Sequence, residues 1–166
     1  MCDSNMEPLR QIAEGLKGSG GYWQLFKITE HLMGWLYDSG RCVYCDIDLV
    51  EEGHTTTGQA TTDHLLPKRK KGYPELHEDA MNAVPACAAC NHIKGQWDPN
   101  SHGGERIYFE GQLTPKMREE LIRRARLFVI ERRHERKRTF EKDLVTWRLS
   151  KEEALQFRRA EHVIPS

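Results

Sequence analysis

Two Cys-x-x-Cys pairs, Cys42-Val43-Tyr44-Cys45 and Cys87-Ala88-Ala89-Cys90, are the residues best suited to hold a metal ion. A turn of that length turns two sulfurs the same way. Two such turns supply the tetrahedral thiolate shell that Zn²⁺ prefers. The pairs are 41 residues apart, Asp46 to Ala86, more than a simple zinc ribbon uses, so the ion would pin the base of a long insert. The alternative is four buried free cysteines. Inside the insert stands Asp63-His64, followed by Leu65-Leu66-Pro67 and four consecutive cations, Lys68, Arg69, Lys70 and Lys71. An imidazole near its ordinary pKa of about 6.5 takes a proton from water at neutral pH. A carboxylate beside it is a hard oxygen donor for a divalent cation. Taken alone, the Asp-His pair also reads as an ordinary surface pair.

Asn82 follows in the insert, Asn91 directly follows the last cysteine, and Lys94-Gly95 comes three residues later. The order C-x2-C, DH-x2-P, N, C-x2-C-N-x2-K-G resembles the HNH endonucleases. The resemblance covers Arg41 to Trp97, about a third of the 166 residues. It implies a ββα-metal core in which a hairpin and a helix grip a divalent ion. By that resemblance His64 is the general base, and Asp63 and Asn91 bind the catalytic ion, Mg²⁺ or Mn²⁺. Asn82 holds the loop and orients His64 through its backbone. The third motif position is Asn91, an H-N-N variant, with His92 as its neighbour. Two metals then have two roles: Zn²⁺ on Cys42, Cys45, Cys87 and Cys90 for structure, and Mg²⁺ or Mn²⁺ for catalysis.

Lys68, Arg69, Lys70 and Lys71 follow the proposed base closely enough to grip flanking phosphates without reading sequence; a solvated loop is the alternative. Lys94, one helical turn beyond Asn91, is expected to reach a phosphate, cap the helix or face solvent. His54, His77 and His102 read as surface histidines, and Cys2 has no assigned role.

The elements that must position these groups are short. The expected fold is α+β: a zinc-stapled ββα-metal core, residues 41–100, between an N-terminal helical extension, 1–40, and a basic C-terminal helical region, 101–166. Pro8 to Leu16 suits a short helix ended by Gly18 to Gly21. Apolar residues at Trp23, Phe26, Leu32, Trp35 and Leu36 predict an amphipathic helix over Tyr22 to Tyr37, stopped by Asp38-Ser39-Gly40. Ile47 to Val50 and Gln59 to Thr62 predict a hairpin ending near Asp63-His64. A helix is expected from Ala88 to Trp97, then a linker, Ser101 to Glu105. Thr114-Pro115 opens a long helix, with Thr114 as N-cap and Leu121, Ile122, Ala125, Phe128 and Val129 on its apolar side. Ser150 to Glu153 reads as a capping box that opens a separate last helix.

Composition narrows the class. Charged residues make up 30% and hydrophobic ones 38% of the chain, with no run near the roughly 20 apolar residues of a membrane span. No signal-peptide pattern stands at the N-terminus, so a cytoplasmic location is expected. The formal charge is zero but uneven. Thr114 to Ser166 holds 15 Lys/Arg against 9 Asp/Glu, net +6; with 25 of each in the chain, the remainder holds 10 and 16, net −6. This suits a polyanionic partner or a solvated, salt-bridged helix. Arg123, Arg124, Arg126, Arg132, Arg133, Arg136, Lys137 and Arg138 would track a duplex. Packing on the N-terminal helix, a protein partner or a second copy accounts for them equally.

The expected activity is metal-dependent cleavage of DNA, as nicking or as double-strand cleavage by paired copies. Restriction, phage defence, mobile elements and phage packaging are settings the family resemblance suggests. A zinc-stapled nucleic-acid- or protein-binding module without turnover, and an RNA-directed nuclease, are the alternatives.

Overall fold

The computed structural model describes residues 3–19, 28–51, 59–67, 73–102 and 104–161. Lys68, Arg69, Lys70 and Lys71 lie outside these, as do Cys2, Trp23, Phe26 and His54. The chain divides into two compact units, Met1–Ile130 and Glu131–Ser166. Its class is α+β: helices with a small two-stranded sheet. No helix among the described residues is long and apolar enough to cross a membrane.

The first unit opens with α1 (Asp3–Ser19), longer than the helix expected over 8–16. Then comes α2 (Thr29–Tyr37), which buries Leu32, Met33 and Trp35. The two are joined by an Arg10–Glu30 ion pair at 3.0 Å and by Lys17 Nζ donating to Thr29 Oγ1 at 3.2 Å. Asp38-Ser39-Gly40 stops α2 as its composition predicts. Ser39 and Gly40 both take positive φ, 54° and 67°, and the Gly40 N–H caps the Trp35 carbonyl at 3.1 Å.

Of the two strands the β-branched residues suggest, the second forms and ends at His64 as expected, but its partner is not the first. β1 (Ala60–His64) pairs antiparallel with β2 (Ala83–Cys87), with Ala60 opposite Cys87 and His64 opposite Ala83. Ile47 to Val50 forms no strand; an isolated Arg41–Asp48 bridge is the pairing there. β2 reads Ala-Val-Pro-Ala-Cys, and a proline normally argues against a strand. Here Pro85 stands opposite Thr62 in a two-stranded ribbon, where each strand is an edge and a missing N–H costs little. Its carbonyl accepts the Val43 N–H at 3.1 Å and so ties the first cysteine turn to the ribbon.

α3 (Ala88–Lys94) follows β2 directly and ends at Gly95, φ 51°. It is three residues shorter than the expected 88–97. A separate turn, α4 (Pro99–His102), takes up part of the expected linker. α2 and α3 both pack on the ribbon. The α2 contact is close: a Cβ on Gly34 would run into the Ala83 carbonyl oxygen and lie 2.7 Å from that of Ala80. The core is filled by Trp35, Tyr44, Leu49, Leu65, Leu66, Leu76, Tyr108, Leu113 and Leu121. Each large apolar side chain buried contributes about 1.5–3 kcal/mol.

Thr114 caps α5 (Pro115–Glu161) through its hydroxyl, which accepts the Met117 N–H at 3.2 Å. Leu121, Ala125 and Val129 are buried, as their spacing predicts. Arg118 is buried too. It grips Asp38 with two nitrogens, at 2.9 and 2.6 Å, and donates to the Met81 and Ala83 carbonyls. The expected helix break before Ser150 does not occur. No Gly or Pro interrupts the sequence from Lys116 to Glu161. The Ser150 hydroxyl donates back to the Thr146 carbonyl at 3.0 Å instead of capping a new helix.

The second unit is helical over its described residues and carries surface pairs, Arg132–Glu135 at 2.7 Å and Lys137–Glu141 at 3.9 Å. Such pairs add only a few tenths of a kcal/mol, roughly 0.3–0.5 each. Phe140, Val145 and Trp147 are exposed.

Candidate functional site

The four cysteines converge. The sulfurs of Cys42, Cys45, Cys87 and Cys90 all lie within 4.8 Å of one another, and Cys45 Sγ is 3.8 Å from Cys87 Sγ. Four thiolates about 2.3 Å from a tetrahedral Zn²⁺ stand about 3.8 Å apart. The donor set and its spacing therefore fit Zn²⁺. Among the described residues this is the one cluster of three or more Cys, His, Asp or Glu close enough to share an ion.

Local backbone builds each half of the cluster. In the first turn the Cys42 N–H donates to the Ile47 carbonyl at 2.9 Å and the Asp46 N–H to the Cys42 carbonyl at 2.8 Å. Asp46 takes φ 63° to close it. In the second, Cys87 ends β2 and caps α3, placing Cys90 in the first turn of that helix. The sulfurs act on one another. Their mutual hydrogen bonds, with Cys42 first, draw Cys45 far down and Cys87 down to about 6. Cys42, bonded to Cys45, and Cys90, bonded to Cys42, are pushed up. Only a cation lets all four be thiolates together.

Side chains alternate across β1. Thr61 and Asp63 meet α3. Asn91 Nδ2 donates to Thr61 Oγ1 at 2.9 Å, and Lys94 Nζ lies 3.2 Å from Asp63 Oδ2. The same ammonium donates to the His64 carbonyl at 2.7 Å. Tyr44, inside the first cysteine turn, donates its hydroxyl to Asp63 Oδ2 at 2.6 Å. Burial, reinforced by the Asp63 charge, pushes the Tyr44 hydroxyl well above 10, so it remains a donor at neutral pH. The His64 N–H donates to Asp63 Oδ1 at 2.7 Å.

His64 turns its ring toward α2. Its Nε2 is 3.3 Å from His31 Nε2, with the rings edge to face at 77°. The His77 ring lies 6.2 Å from it, centroid to centroid. Asn82 is buried and fully used. Its Oδ1 accepts the Leu66 N–H at 2.8 Å, and its Nδ2 donates to the Leu66 and Leu76 carbonyls at 3.2 and 3.0 Å. Its own carbonyl accepts the Leu65 N–H at 3.0 Å. The two residues after His64 are clamped by this one side chain and backbone.

The structure thus gathers Asp63, Asn91 and Lys94 on the α3 face, sends the His64 ring to the α2 side, and seats Asn82 under the loop. Lys94, expected at a phosphate, a cap or the solvent, points inward because Asp63 and the His64 carbonyl both face it. Five of the basic residues expected along a duplex are engaged within the protein, Arg132 and Lys137 through the Glu135 and Glu141 pairs described above. Arg123 and Arg124 bond Glu120, and Arg126 Nε donates to the Val43 carbonyl at 3.0 Å. Sequence reasoning misses Tyr44, His31 and Arg118, whose partners are far away in the chain. The one local hint is Tyr44, which stands between two cysteines.

A Mg²⁺ or Mn²⁺ ion held by Asp63 and Asn91 is a separate matter from the zinc. Carboxylate and amide oxygens are the right donors for either ion. Both Asp63 oxygens already accept bonds, from the His64 N–H, the Tyr44 hydroxyl and the Lys94 ammonium. As arranged, these residues do not fit a divalent ion, because a cation of the chain already stands at the carboxylate.

Comparison of the chain with protein-family models, curated proteins and solved structures gives no match.

Proposed function

We propose that the first unit is an HNH-type endonuclease that hydrolyses DNA phosphodiester bonds, with zinc on the four cysteines as its structural ion. One observation carries the reading: residues in the motif's order fold into strand, strand and helix, with Asp63-His64 ending the first strand. The HNH resemblance of the sequence supplies the roles. His64 takes the proton from the attacking water. Asn82 fixes the chain beyond His64, so the imidazole is presented from a rigid strand end. Asp63, Tyr44 and Lys94 lock the opposite face. The basic run Lys68 to Lys71 grips DNA backbone flanking the scissile bond. Dependence on Mg²⁺ or Mn²⁺ belongs to the proposal, and the Lys94 contact at Asp63 is what such an ion would have to displace. Pairing of two copies through the C-terminal helix would convert nicking into double-strand cleavage, and the same helix is the place for a protein partner.

A second reading is a zinc-stapled nucleic-acid- or protein-binding module without turnover. The internal satisfaction of Asp63 favours it. The test is relaxation of supercoiled plasmid by wild type and His64→Ala with Mg²⁺, Mn²⁺ or EDTA, run beside a matched RNA. Divalent-dependent nicking that His64→Ala abolishes is the expected result. Cleavage of the RNA alone would move the substrate class. No cleavage of either by folded, zinc-loaded protein would leave the binding module.

A further inference from the structure

We propose that His31 and His64 form a second metal site, for a borderline divalent transition ion of the Zn²⁺, Ni²⁺ or Cu²⁺ class. The two Nε2 atoms face each other at 3.3 Å. An N–H donor usually sits about 2.7–3.2 Å from its acceptor, so the pair is loose as a hydrogen bond. Two imidazole nitrogens about 2.0–2.1 Å from one tetrahedral ion stand about 3.3–3.4 Å apart. The observed gap matches that edge. The rings meet edge to face at 77°, with centroids 5.0 Å apart, so they do not stack. Among the described residues His77, which is exposed, carries a further imidazole, its ring centroid 6.2 Å from that of His64. Water completes the shell.

Chemistry and place separate this site from the others. Imidazole suits Zn²⁺, Ni²⁺ and Cu²⁺, whereas Mg²⁺ keeps to oxygen. Cys87 pairs with Ala60 at one end of the ribbon and Ala83 with His64 at the other. At about 3.3 Å per residue these two ends of the ribbon backbone stand about 13 Å apart, too far for one ion to span. The consequence rests on the proposed function: an ion on His64 Nε2 takes the lone pair that hydrolysis would use, and so inhibits. Binding itself does not depend on that reading.

The experiment is calorimetric titration of Zn²⁺ into untagged full-length protein that already carries one zinc. One further equivalent is expected, weakened about tenfold or more in His31→Gln, since a lost ligand costs at least what a lost outer partner does. Elemental analysis should show the cysteine zinc retained in the variant. Nitrogen NMR of the wild-type rings provides a readout independent of any variant: Zn²⁺ should shift His31 and His64 together. No second equivalent, an unchanged affinity in zinc-loaded His31→Gln, or ring signals of His31 and His64 that do not move would each overturn the site. Cleavage is never measured, so failure of the nuclease reading and failure of this site remain distinguishable.

Discussion

The Lys94 ammonium and the Asp63 carboxylate form an ion pair at 3.2 Å with only 1% and 9% of their side chains exposed. Each charge is tolerable in that place because the other is there. Removing Lys94 alone leaves a buried carboxylate held by Tyr44 and one backbone N–H. Lys94→Met is therefore expected to lose roughly 3–5 kcal/mol in urea unfolding. Lys94→Met combined with Asp63→Asn should recover much of that loss. Equal loss in the single and double variants would show that packing, not charge, holds the site.

The four converging cysteines could hold a metal ion, and if zinc fills that site the first unit should depend on it. Structural zinc contributes about 10–16 kcal/mol of apparent binding energy in small domains. Cys87→Ser, or a strong chelator, should abolish the cooperative unfolding transition and release one zinc per chain. A cooperative transition at the same midpoint without zinc would show that the apolar core stands alone.

At Gly34 two effects oppose each other. Alanine in a helix is favoured over glycine by about 0.8–1.0 kcal/mol. Its Cβ would strike the carbonyl of Ala83 and crowd that of Ala80. Overpacking against backbone costs about 1–3 kcal/mol, so Gly34→Ala should destabilise, by thermal or urea unfolding. A more stable variant would mean that α2 stands further from the ribbon.

Asp79 gives a pH dependence with a definite sign. Burial raises its carboxyl above the usual 3.8, against the pull of the Met81 and Leu113 N–H groups and of Arg118. Folding thus favours the protonated form. The contribution is fully present below the unfolded pKa and is lost as pH rises through the raised value. Asn keeps the oxygen that accepts the Met81 N–H and carries no charge. Asp79→Asn should be the more stable protein at pH 7, and its advantage should shrink toward pH 3. An advantage independent of pH would take the charge out of the explanation.

If Lys68, Arg69, Lys70 and Lys71 contact phosphates, changing all four to Ala should weaken DNA binding and flatten its salt dependence. Each lost contact to duplex DNA lowers the slope by about 0.9. An unchanged slope would return the run to the solvent.

What is legible from the sequence follows the range over which each signal acts. Chelation imposes its pattern within four residues, so both cysteine pairs can be read directly. The start of α5 is equally local, fixed by Thr114 and Pro115. The partner of β1 is harder to read. Pro85 hides β2 from a propensity reading, and the edge position that excuses it is a property of the assembled ribbon. The same holds for Lys94, whose inward turn depends on Asp63, and for His31, which meets His64 at a separation of 33 positions. Ser150 shows the opposite failure: a complete local cap signal outweighed by an uninterrupted helix on both sides.

Cys87 belongs to two structures at once. It is the residue of β2 that faces Ala60, and it is one of the four converging sulfurs. A slip of one residue between the strands would exchange the faces to which Asp63 and His64 point. The same slip would carry the Cys87 sulfur out of reach of the other three. Uptake of an ion by the four sulfurs during folding would therefore be a proofreading step: a chain that has closed its sulfur shell has also chosen which neighbour faces Lys94 and which faces His31.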